Sequence, residues 1–330
     1  MANIRQVADK AGVSVATVSR VLNGHNTVSN KTKQKVEEAI AQLNYEPSSL
    51  GRNLRNSESR LLLVLIPEIA NPFYFEIIKG IETTALNHNY NILLCETNSD
   101  PEREDIYFDL VRSKMADGII SMDPAVNMET LIALAEAHAI IQCSEYDIDS
   151  GIPYVTIDSE KAAYMAVEHL INIGHRKIGL INSNKDFLYA RQREKGYQKA
   201  LEDHGIEVNP AYIRYTHKLG FEYGQQAMRD ILKLDDRPTA VFGVSDLLAI
   251  GALREIHTNG LSVPDDIAVV GFDRIDFSNM THPTLTTIAQ PMCEMGTIAA
   301  QMLLKKIRGE AVTSTVLQHE LVVRESTKPK

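Results

Sequence analysis

Residues 14–23, SVATVSRVLN, carry the side chains whose chemistry is easiest to assign. The guanidinium of Arg20 can donate a bidentate pair of hydrogen bonds to a guanine edge in the major groove. Val15 and Ala16 are small enough to let a helix backbone approach the bases and to contact thymine methyl groups. The pattern predicts a base-reading segment, although on spacing alone a helical hairpin with a solvated face fits it equally well.

The first element that would position this segment is a short helix. Ile4, Val7, Ala8 and Ala11 recur at i, i+3, i+4 and i+7, so that one face of the helix is apolar. Gly12 then interrupts the pattern, which predicts a tight turn.

Two further helices complete a small core. Ser14 is a good N-cap for the second helix, which would bury Val18, Val21 and Leu22. Ser29 would cap a third, whose apolar positions are Val36, Ala39, Ile40 and Leu43. This arrangement predicts a helix-turn-helix. The candidate DNA contacts here are Ser14, Val15, Ala16, Thr17, Ser19, Arg20, Asn23, Asn26 and Thr32.

A basic segment follows, residues 46–55, EPSSLGRNLR, with a proline where a helix can begin. Arg52 and Arg55 are candidate DNA contacts. Leu54 is an additional candidate because it has no obvious core to join, unless it covers the edge of the next domain.

The charge distribution is uneven. The chain has a net charge of -9, yet residues 1–60 hold nine Lys and Arg against five Asp and Glu, a balance of +4 that leaves -13 for the remainder. A basic end on an acidic body is typical of a protein that touches DNA phosphates with one end only. The alternative is that a small helical domain carries a few extra lysines.

Length and composition exclude several classes of protein. A chain of 330 residues is too long for one ordinary domain. It has no apolar run of the roughly 18 residues that a membrane span needs, and no leader-like apolar stretch at its N-terminus. Its three cysteines, Cys95, Cys143 and Cys293, are far apart. We therefore expect a cytoplasmic protein with no membrane partner.

Enzyme chemistry is poorly supported. The chain contains no P-loop, no GxSxG elbow and no HExxH helix, and its ten histidines show no metal-ligand spacing. The sequence therefore predicts no cofactor, no metal site and no catalytic residue.

After residue 60, apolar β-branched runs alternate with helical patterns, which predicts parallel sheets covered on both faces. The predicted strands are 61–66, 91–95, 118–121, 140–143, 154–157, 177–181, 240–243, 268–272 and 285–288. The predicted helices are 73–86, 103–113, 128–137, 164–173, 191–203, 221–232, 246–259 and 292–306.

Ligands of such sheets bind at the carboxyl ends of the strands. Asn71, Phe73 and Tyr74 follow the first strand, so a polar group can meet helix N–H groups there while a ring stacks on a flat ligand. Asp246 and Asp273 follow later strands. Asp246 could equally be a helix cap. The remaining candidate, in the helix after strand 177–181, is Arg193.

Several segments together resemble the LacI family of bacterial transcriptional regulators, and within it the cytidine-responsive branch. They are IRQVADKAGVSVATVSRVLNG, LNYEPSSLGRNLR, LVLIPEIANPFYFEIIKGIE, RPTAVFGVSDLLAIGAL, VPDDIAVVGFDRID and LTTIAQP. The resemblance implies a small all-α headpiece and an α/β core whose two doubly wound parallel-sheet lobes have the type 1 periplasmic-binding-protein fold.

The implied domains are a headpiece at 1–46, a hinge helix and linker at 47–60, and an effector-binding and dimerisation core at 61–330. The chain would cross between the lobes near Ser159, Gln290 and Gln318. This gives an N-lobe of about 61–158 and 290–318, and a C-lobe of about 159–289 and 319–330.

The resemblance also implies a mode of DNA binding. A homodimer would bind a near-palindromic double-stranded operator, because one headpiece contacts few base pairs. Residues 48–55 would become helical on DNA, and paired Leu54 side chains would wedge open the minor groove. The chain has no heptad tail after its last strand, so we expect a dimer rather than a tethered tetramer.

The effector is expected to be small and polyhydroxylated, a nucleoside or a sugar. Phe73 or Tyr74, Arg193, Asp246 and Asp273 match positions that hold the effector in this family. Where a purine-binding relative has further polar and aromatic contacts, this chain has other residues, which argues against a purine: Phe187, Tyr189 and Leu219. Residues 144–146, Ser-Glu-Tyr, are an additional candidate. The alternatives are a regulator of the catabolite-control type that answers to a protein partner, and a solute receptor.

Overall fold

The computed structural model describes residues 2–22, 28–45, 58–123 and 127–328. The chain divides into two compact units, Met1–Ser59 and Arg60–Lys330. The first is called the headpiece below and the second the core unit.

The headpiece contains helices α1 (Ile4–Ala11), α2 (Val15–Leu22) and α3 (Asn30–Leu43). Asn3 begins α1 with a reciprocal capping box, in which its side chain accepts from the Gln6 N–H at 3.0 Å. Gly12 ends the helix in the left-handed conformation, φ 65°. The predicted turn between the first two helices is therefore confirmed.

The three helices enclose one apolar cluster. Its buried members are Val7, Ala8, Ala11, Val18, Val21, Val36 and Ala39. Ile4, Leu22, Ile40 and Leu43 pack against them, partly buried. The apolar spacing of the sequence thus identified this core correctly.

The core unit begins with five strands and four helices. These are β1 (Leu61–Ile66), α4 (Phe73–Asn87), β2 (Asn91–Glu96), α5 (Pro101–Arg112), β3 (Gly118–Ser121), α6 (Met128–Ala137), β4 (Ala139–Cys143), β5 (Tyr154–Ile157) and α7 (Ser159–Asn172).

The second half of the core unit continues this alternation. Its elements are β6 (Ile178–Asn182), α8 (Leu188–Asp203), β7 (Ile213–Tyr215), α9 (Phe221–Leu232), β8 (Ala240–Gly243), α10 (Asp246–Thr258), β9 (Ala268–Asp273), β10 (Thr286–Ala289), α11 (Met292–Ile307), β11 (Thr315–Leu317) and β12 (Glu320–Val322).

The strands form two six-stranded sheets, in the orders β11-β5-β4-β3-β1-β2 and β12-β10-β9-β8-β6-β7. The chain changes sheet after β5, after β10 and between β11 and β12. Each sheet is therefore the centre of one lobe, called lobe 1 and lobe 2 in that order.

The predicted fold class is confirmed, with one difference. All neighbouring strands are parallel except β12, which pairs antiparallel with β10. Only two residues separate β11 from β12. The short strands β7, β11 and β12 were not predicted, because three residues carry no readable periodicity.

Two helices of lobe 1 cross at glycines. A Cβ atom on Gly80 of α4 would lie 2.1 Å from the carbonyl oxygen of Cys293, and one on Gly296 of α11 would lie 2.0 Å from that of Ile77. Only glycine allows this approach of two backbones. The crossing fixes α4, whose first turn carries two of the predicted effector residues, Phe73 and Tyr74.

Candidate functional site

The exposed face of α2 is the candidate DNA surface of the headpiece. Ser14 caps the helix and accepts from the Thr17 N–H at 3.2 Å. Val15 is 39% exposed, which is high for a valine, and Ala16 and Arg20 are exposed as well. Small side chains and one guanidinium therefore stand together on the open side of the helix, as the sequence predicted.

Ser19 is placed differently from the prediction. As a candidate DNA contact it was expected to be exposed on α2, but only 6% of it is exposed. At 100° per residue it lies about 60° from Leu22 on the helix circumference, at the margin of the buried stripe. The expected exposure was wrong, and its role on DNA stays a prediction.

Thr32 is half-buried in the first turn of α3. Its N–H donates to the Ser29 hydroxyl at 3.3 Å, and the two hydroxyl groups are 2.9 Å apart. Lys31, Lys33 and Lys35 are exposed around it. The predicted contacts Asn23, Asn26, Arg52, Leu54 and Arg55 lie outside the described residues.

The core unit contains a cleft between its two lobes, with about 820 Å³ of space that is partly open to solvent. It lies at the carboxyl ends of the parallel strands, where open α/β sheets bind ligands. Lobe 1 lines it with Pro67, Glu68, Asn71, Tyr74, Asn98, Ser99, Met122, Asp123 and Glu145. Lobe 2 lines it with Ser183, Asn184, Phe187, Tyr189, His217, Lys218 and Leu219.

Two of the predicted effector residues line the cleft directly. Asn71 precedes α4, and its side-chain oxygen accepts from the Phe73 N–H at 3.0 Å. The Tyr74 ring lines the cleft. The Phe73 ring packs edge-on against the Tyr74 ring, with the two centroids 5.2 Å apart. The sequence left open which ring faces a ligand; of the two, the structure places Tyr74 in the lining of the cleft, and its contact with an effector stays a prediction.

Arg193 and Asp273 are brought together as a buried pair, although neither lines the cleft. Arg193 Nη1 is 3.5 Å from Asp273 Oδ1 and also donates to the Val244 carbonyl. Gln290 donates to the same Asp273 oxygen at 2.8 Å. Burial raises the pKa of Asp273 to about 6, against the opposing effect of the guanidinium.

Two aromatic rings enclose the Arg193 guanidinium. Its centre is 3.6 Å from the ring centroid of Phe272 and 5.1 Å from that of Tyr189, which lines the cleft. Among the described residues, its Nε atom has no hydrogen-bond partner. Arg193 therefore holds one buried donor without a partner in the described ranges, behind the cleft-lining ring of Tyr189.

Asp246 is fully buried and outside the cleft. Its Oδ2 accepts from the Ile275 N–H at 2.9 Å, and its Oδ1 from the Thr287 hydroxyl at 2.6 Å. These bonds hold the turn after β9, where Asp273 and Arg274 have positive φ angles of 114° and 60°. The N-cap of α10 is Ser245, so the capping alternative for Asp246 was wrong. Direct contact between Asp246 and an effector stays a prediction.

Sequence reasoning missed Asp123, which lines the cleft and is fully buried. It accepts hydrogen bonds from the hydroxyl groups of Thr97 and Ser99, both at 2.8 Å. Asp123 follows β3, so the rule about strand ends could have found it. Glu145, part of the additional candidate 144–146, also lines the cleft, and so do the three residues that argued against a purine.

A helix-turn-helix headpiece with an open recognition helix, followed by a two-lobed core with an interlobe cleft, defines a ligand-responsive DNA-binding regulator. Residues 3–48 match the family described as bacterial regulatory proteins, lacI family, and residues 167–327 match the periplasmic binding protein-like domain. The chain belongs to the LacI family of bacterial regulatory proteins. It is a DNA-binding transcriptional repressor with a ligand-binding domain.

Relatives match over nearly the whole chain. The HTH-type transcriptional repressor CytR of Escherichia coli K12 is 38% identical, covering 99% of this chain and 96% of the relative. Catabolite control protein A of Priestia megaterium is 36% identical, covering 98% and 99%. A crystal structure of the lac repressor dimer bound to operator and the anti-inducer ONPF is 30% identical, covers 99% of both chains and has a TM-score of 0.88.

None of the helices in the described ranges combines the length and apolar character that a membrane crossing requires. The same ranges hold no cluster of three or more acidic, cysteine or histidine side chains suited to a metal ion.

Proposed function

We propose that this repressor binds a near-palindromic operator as a homodimer and is controlled by a nucleoside or sugar in the interlobe cleft. The observation that carries the proposal is the composition of the cleft. Its aromatic rings line the cleft together with the side chains of Asn71, Ser99 and Asp123, so that a ligand with a flat face and several hydroxyl groups finds both stacking and hydrogen-bonding partners. The buried Asp273–Arg193 pair lies behind this wall, where Arg193 contacts the Tyr189 ring.

Phe187 and Tyr189 support a flat ligand in particular. Their rings are stacked, with centroids 5.6 Å apart and planes 17° from parallel, and both line the cleft. The lac repressor dimer that is solved with operator and an anti-inducer supports the pairing of DNA and small-molecule binding in one chain. The likeness to CytR favours a nucleoside over a sugar.

The assignment of residues to domains is part of the proposal. We assign 1–46 to DNA binding, 47–60 to the hinge and 61–330 to effector binding and dimerisation. The protein acts in the cytoplasm and does not transform its ligand.

A titration tests the choice of effector. Calorimetric titration of the full chain with cytidine, uridine, adenosine, ribose and hexoses is expected to show binding of cytidine. Asp273→Ala is expected to weaken that binding by about 100-fold, because it leaves the buried Arg193, which packs against the cleft-lining ring of Tyr189, without its counter-ion.

The matched control for this variant is Asp276→Ala, an exposed carboxylate three residues further on, which is expected to bind cytidine as the wild type does. Binding of a hexose alone would keep the cleft as the site but reject the nucleoside. Unchanged affinity in a folded Asp273→Ala variant would remove Asp273 from the site.

The exposed guanidinium of α2 gives a second prediction. Arg20→Ala is expected to reduce discrimination at one guanine per half-site by about 1–3 kcal/mol, measured as binding to the operator and to versions with that base pair replaced. Arg20→Lys keeps the positive charge but lacks the two fixed N–H donors of a guanidinium. It should therefore lose discrimination between bases while keeping more of the affinity for DNA than Arg20→Ala does. Equal weakening on all sequences would make Arg20 a phosphate contact instead.

A second candidate function is a regulator that answers chiefly to a protein partner. The likeness to catabolite control protein A favours it. If none of the small molecules above changes operator binding, the result would favour regulation by a protein partner.

A further inference from the structure

The two lobes are joined across the cleft by a carboxylate. Glu145, in the loop after β4 of lobe 1, accepts hydrogen bonds from two backbone N–H groups of lobe 2. They are those of Leu188 at 3.1 Å and Tyr189 at 3.0 Å. The next residue, Tyr146, accepts a bond from Gln192 at 3.3 Å. Both contacts reach the same helix, α8.

The N–H groups bound by Glu145 are the first two of α8, which the helix itself cannot satisfy. The preceding residue, Phe187, supplies no side-chain cap. A carboxylate at this end is also favoured by the helix dipole. Glu145 is therefore the N-terminal cap of α8, supplied from the opposite lobe.

Burial makes this contact sensitive to its surroundings. Only 6% of Glu145 is exposed, and loss of hydration raises the pKa of its carboxyl to about 7. The bond from the Tyr189 N–H and the guanidinium groups of Arg193 and Arg191 oppose that rise. The charge of Glu145 thus depends on partners that belong to lobe 2, on the other side of the cleft.

Two further carboxyl groups, those of Asp123 and Asp273, lie near Tyr74 together with Glu145. The pKa of the Tyr74 phenol is raised well above its usual value by burial, and additionally by Asp123, Glu145 and Asp273. The buried cation beside them is Arg193, which is paired with Asp273. Lys218 also lines the cleft, but it is exposed, so that solvent screens its charge.

We propose that Glu145 is an interlobe latch that holds the lobes closed by capping α8, and that it thereby makes the cleft selective for neutral or cationic ligands over phosphorylated ones. The end of α8 is the natural anion site of the cleft. Glu145 occupies it and, when ionised, adds a negative charge there. The selectivity rests on the proposed function of the cleft, whereas the latch does not.

The test is amide hydrogen exchange of the full chain near pH 8, above the pKa of about 7 that the latch carboxyl has. In the wild type, the amides of Leu188 and Tyr189 are expected to be protected without any ligand. In Glu145→Ala their exchange should accelerate by about tenfold or more, the equivalent of one lost hydrogen bond. Glu136→Ala, an exposed glutamate of lobe 1, is the matched control and should leave both amides unchanged.

Millimolar inorganic phosphate then tests the selectivity without assuming an effector. It should restore protection of the two amides in Glu145→Ala and change nothing in the wild type. Phosphate that alters these amides in the wild type would overturn the selectivity. Equal exchange in the wild type and a folded Glu145→Ala variant would overturn the latch.

Titration with cytidine and cytidine 5′-monophosphate separates this inference from the proposed function. The wild type should prefer the nucleoside, and Glu145→Ala should shift the affinity ratio toward the monophosphate by about tenfold. Failure of cytidine to bind would count against the proposed function only, because the exchange results with phosphate decide the latch and its selectivity independently.

Discussion

Gly296→Ala is expected to lower the free energy of unfolding of the core unit by about 2–3 kcal/mol. A Cβ atom at this position would lie 2.0 Å from the backbone oxygen of Ile77. A backbone oxygen cannot turn aside as a side chain can, so α11 and α4 must separate. Alanine has a higher helix propensity than glycine by about 1 kcal/mol, so any loss measured is due to packing.

The variant is best measured by urea denaturation followed by circular dichroism, since the chain contains no tryptophan. Gly80→Ala, on the facing helix, should behave similarly, because its Cβ would lie 2.1 Å from the Cys293 oxygen. Thr83→Ala, on the exposed face of α4, is the control and should change stability by less than about 0.5 kcal/mol. An unchanged midpoint for both glycine variants would show that the two helices can accept a Cβ atom at this crossing.

The crossing also matters for function. Phe73 and Tyr74 belong to the first turn of α4, so displacement of the helix would move the ring that lines the cleft. We expect the glycine variants to bind effector more weakly even under conditions in which they remain folded.

Glu104→Gln is expected to make the protein less sensitive to alkaline pH. Glu104 is only 1% exposed, and its carboxyl oxygens have no hydrogen-bond partner among the described residues. Burial, and to a lesser extent Asp123 and Asp105, raise its pKa from 4.5 to about 9. The folded protein therefore holds a proton on Glu104 that the unfolded chain releases.

The sign of the pH dependence follows from this difference. The stability that the neutral carboxyl contributes is fully present below pH 4.5 and is lost as the pH rises toward about 9. Each rise of one pH unit in that window lowers the free energy of unfolding by up to about 1.4 kcal/mol. The amide of Glu104→Gln does not titrate, so the free energy of unfolding of the variant should increase relative to that of the wild type as the pH rises.

Denaturation at several values between about pH 5 and pH 8 measures the difference in stability between the variant and the wild type. Glu102→Gln, at an exposed position in the same helical turn, is the matched control and should show an offset that is constant across the window. A constant offset for Glu104→Gln as well would mean that Glu104 is ionised in the folded protein.

Local patterns accounted for much of the fold. The spacing of Ile4, Val7, Ala8 and Ala11 and the cap at Ser14 predicted the first two helices, because helix periodicity and capping involve residues within one or two turns of each other. The same holds for the alternation of strands and helices in the core unit. Helix starts were less accurate: α7 begins at Ser159 and α8 at Leu188, each several residues before the predicted start.

The candidate site was predicted only in part. Ligands of open α/β sheets bind at the carboxyl ends of the strands, and this rule selected Asn71 and Tyr74, which line the cleft. It also selected Arg193 and Asp273, which form a buried pair beside the cleft. The rule indicates the correct edge of each sheet, but it does not say which side chains turn toward the ligand.

The sequence by itself determined the family, the helix-turn-helix, the two largely parallel sheets and the sheet edge that faces the cleft, because each follows from local periodicity or from an ordered set of motifs. Only the tertiary structure decided that Glu145 caps a helix of the other lobe, that Asp246 is enclosed by Ile275 and Thr287, and that β12 runs antiparallel. These features depend on contacts between residues far apart in the chain. No regular spacing of residues in the sequence predicts such contacts, because they depend on how the lobes and strands pack.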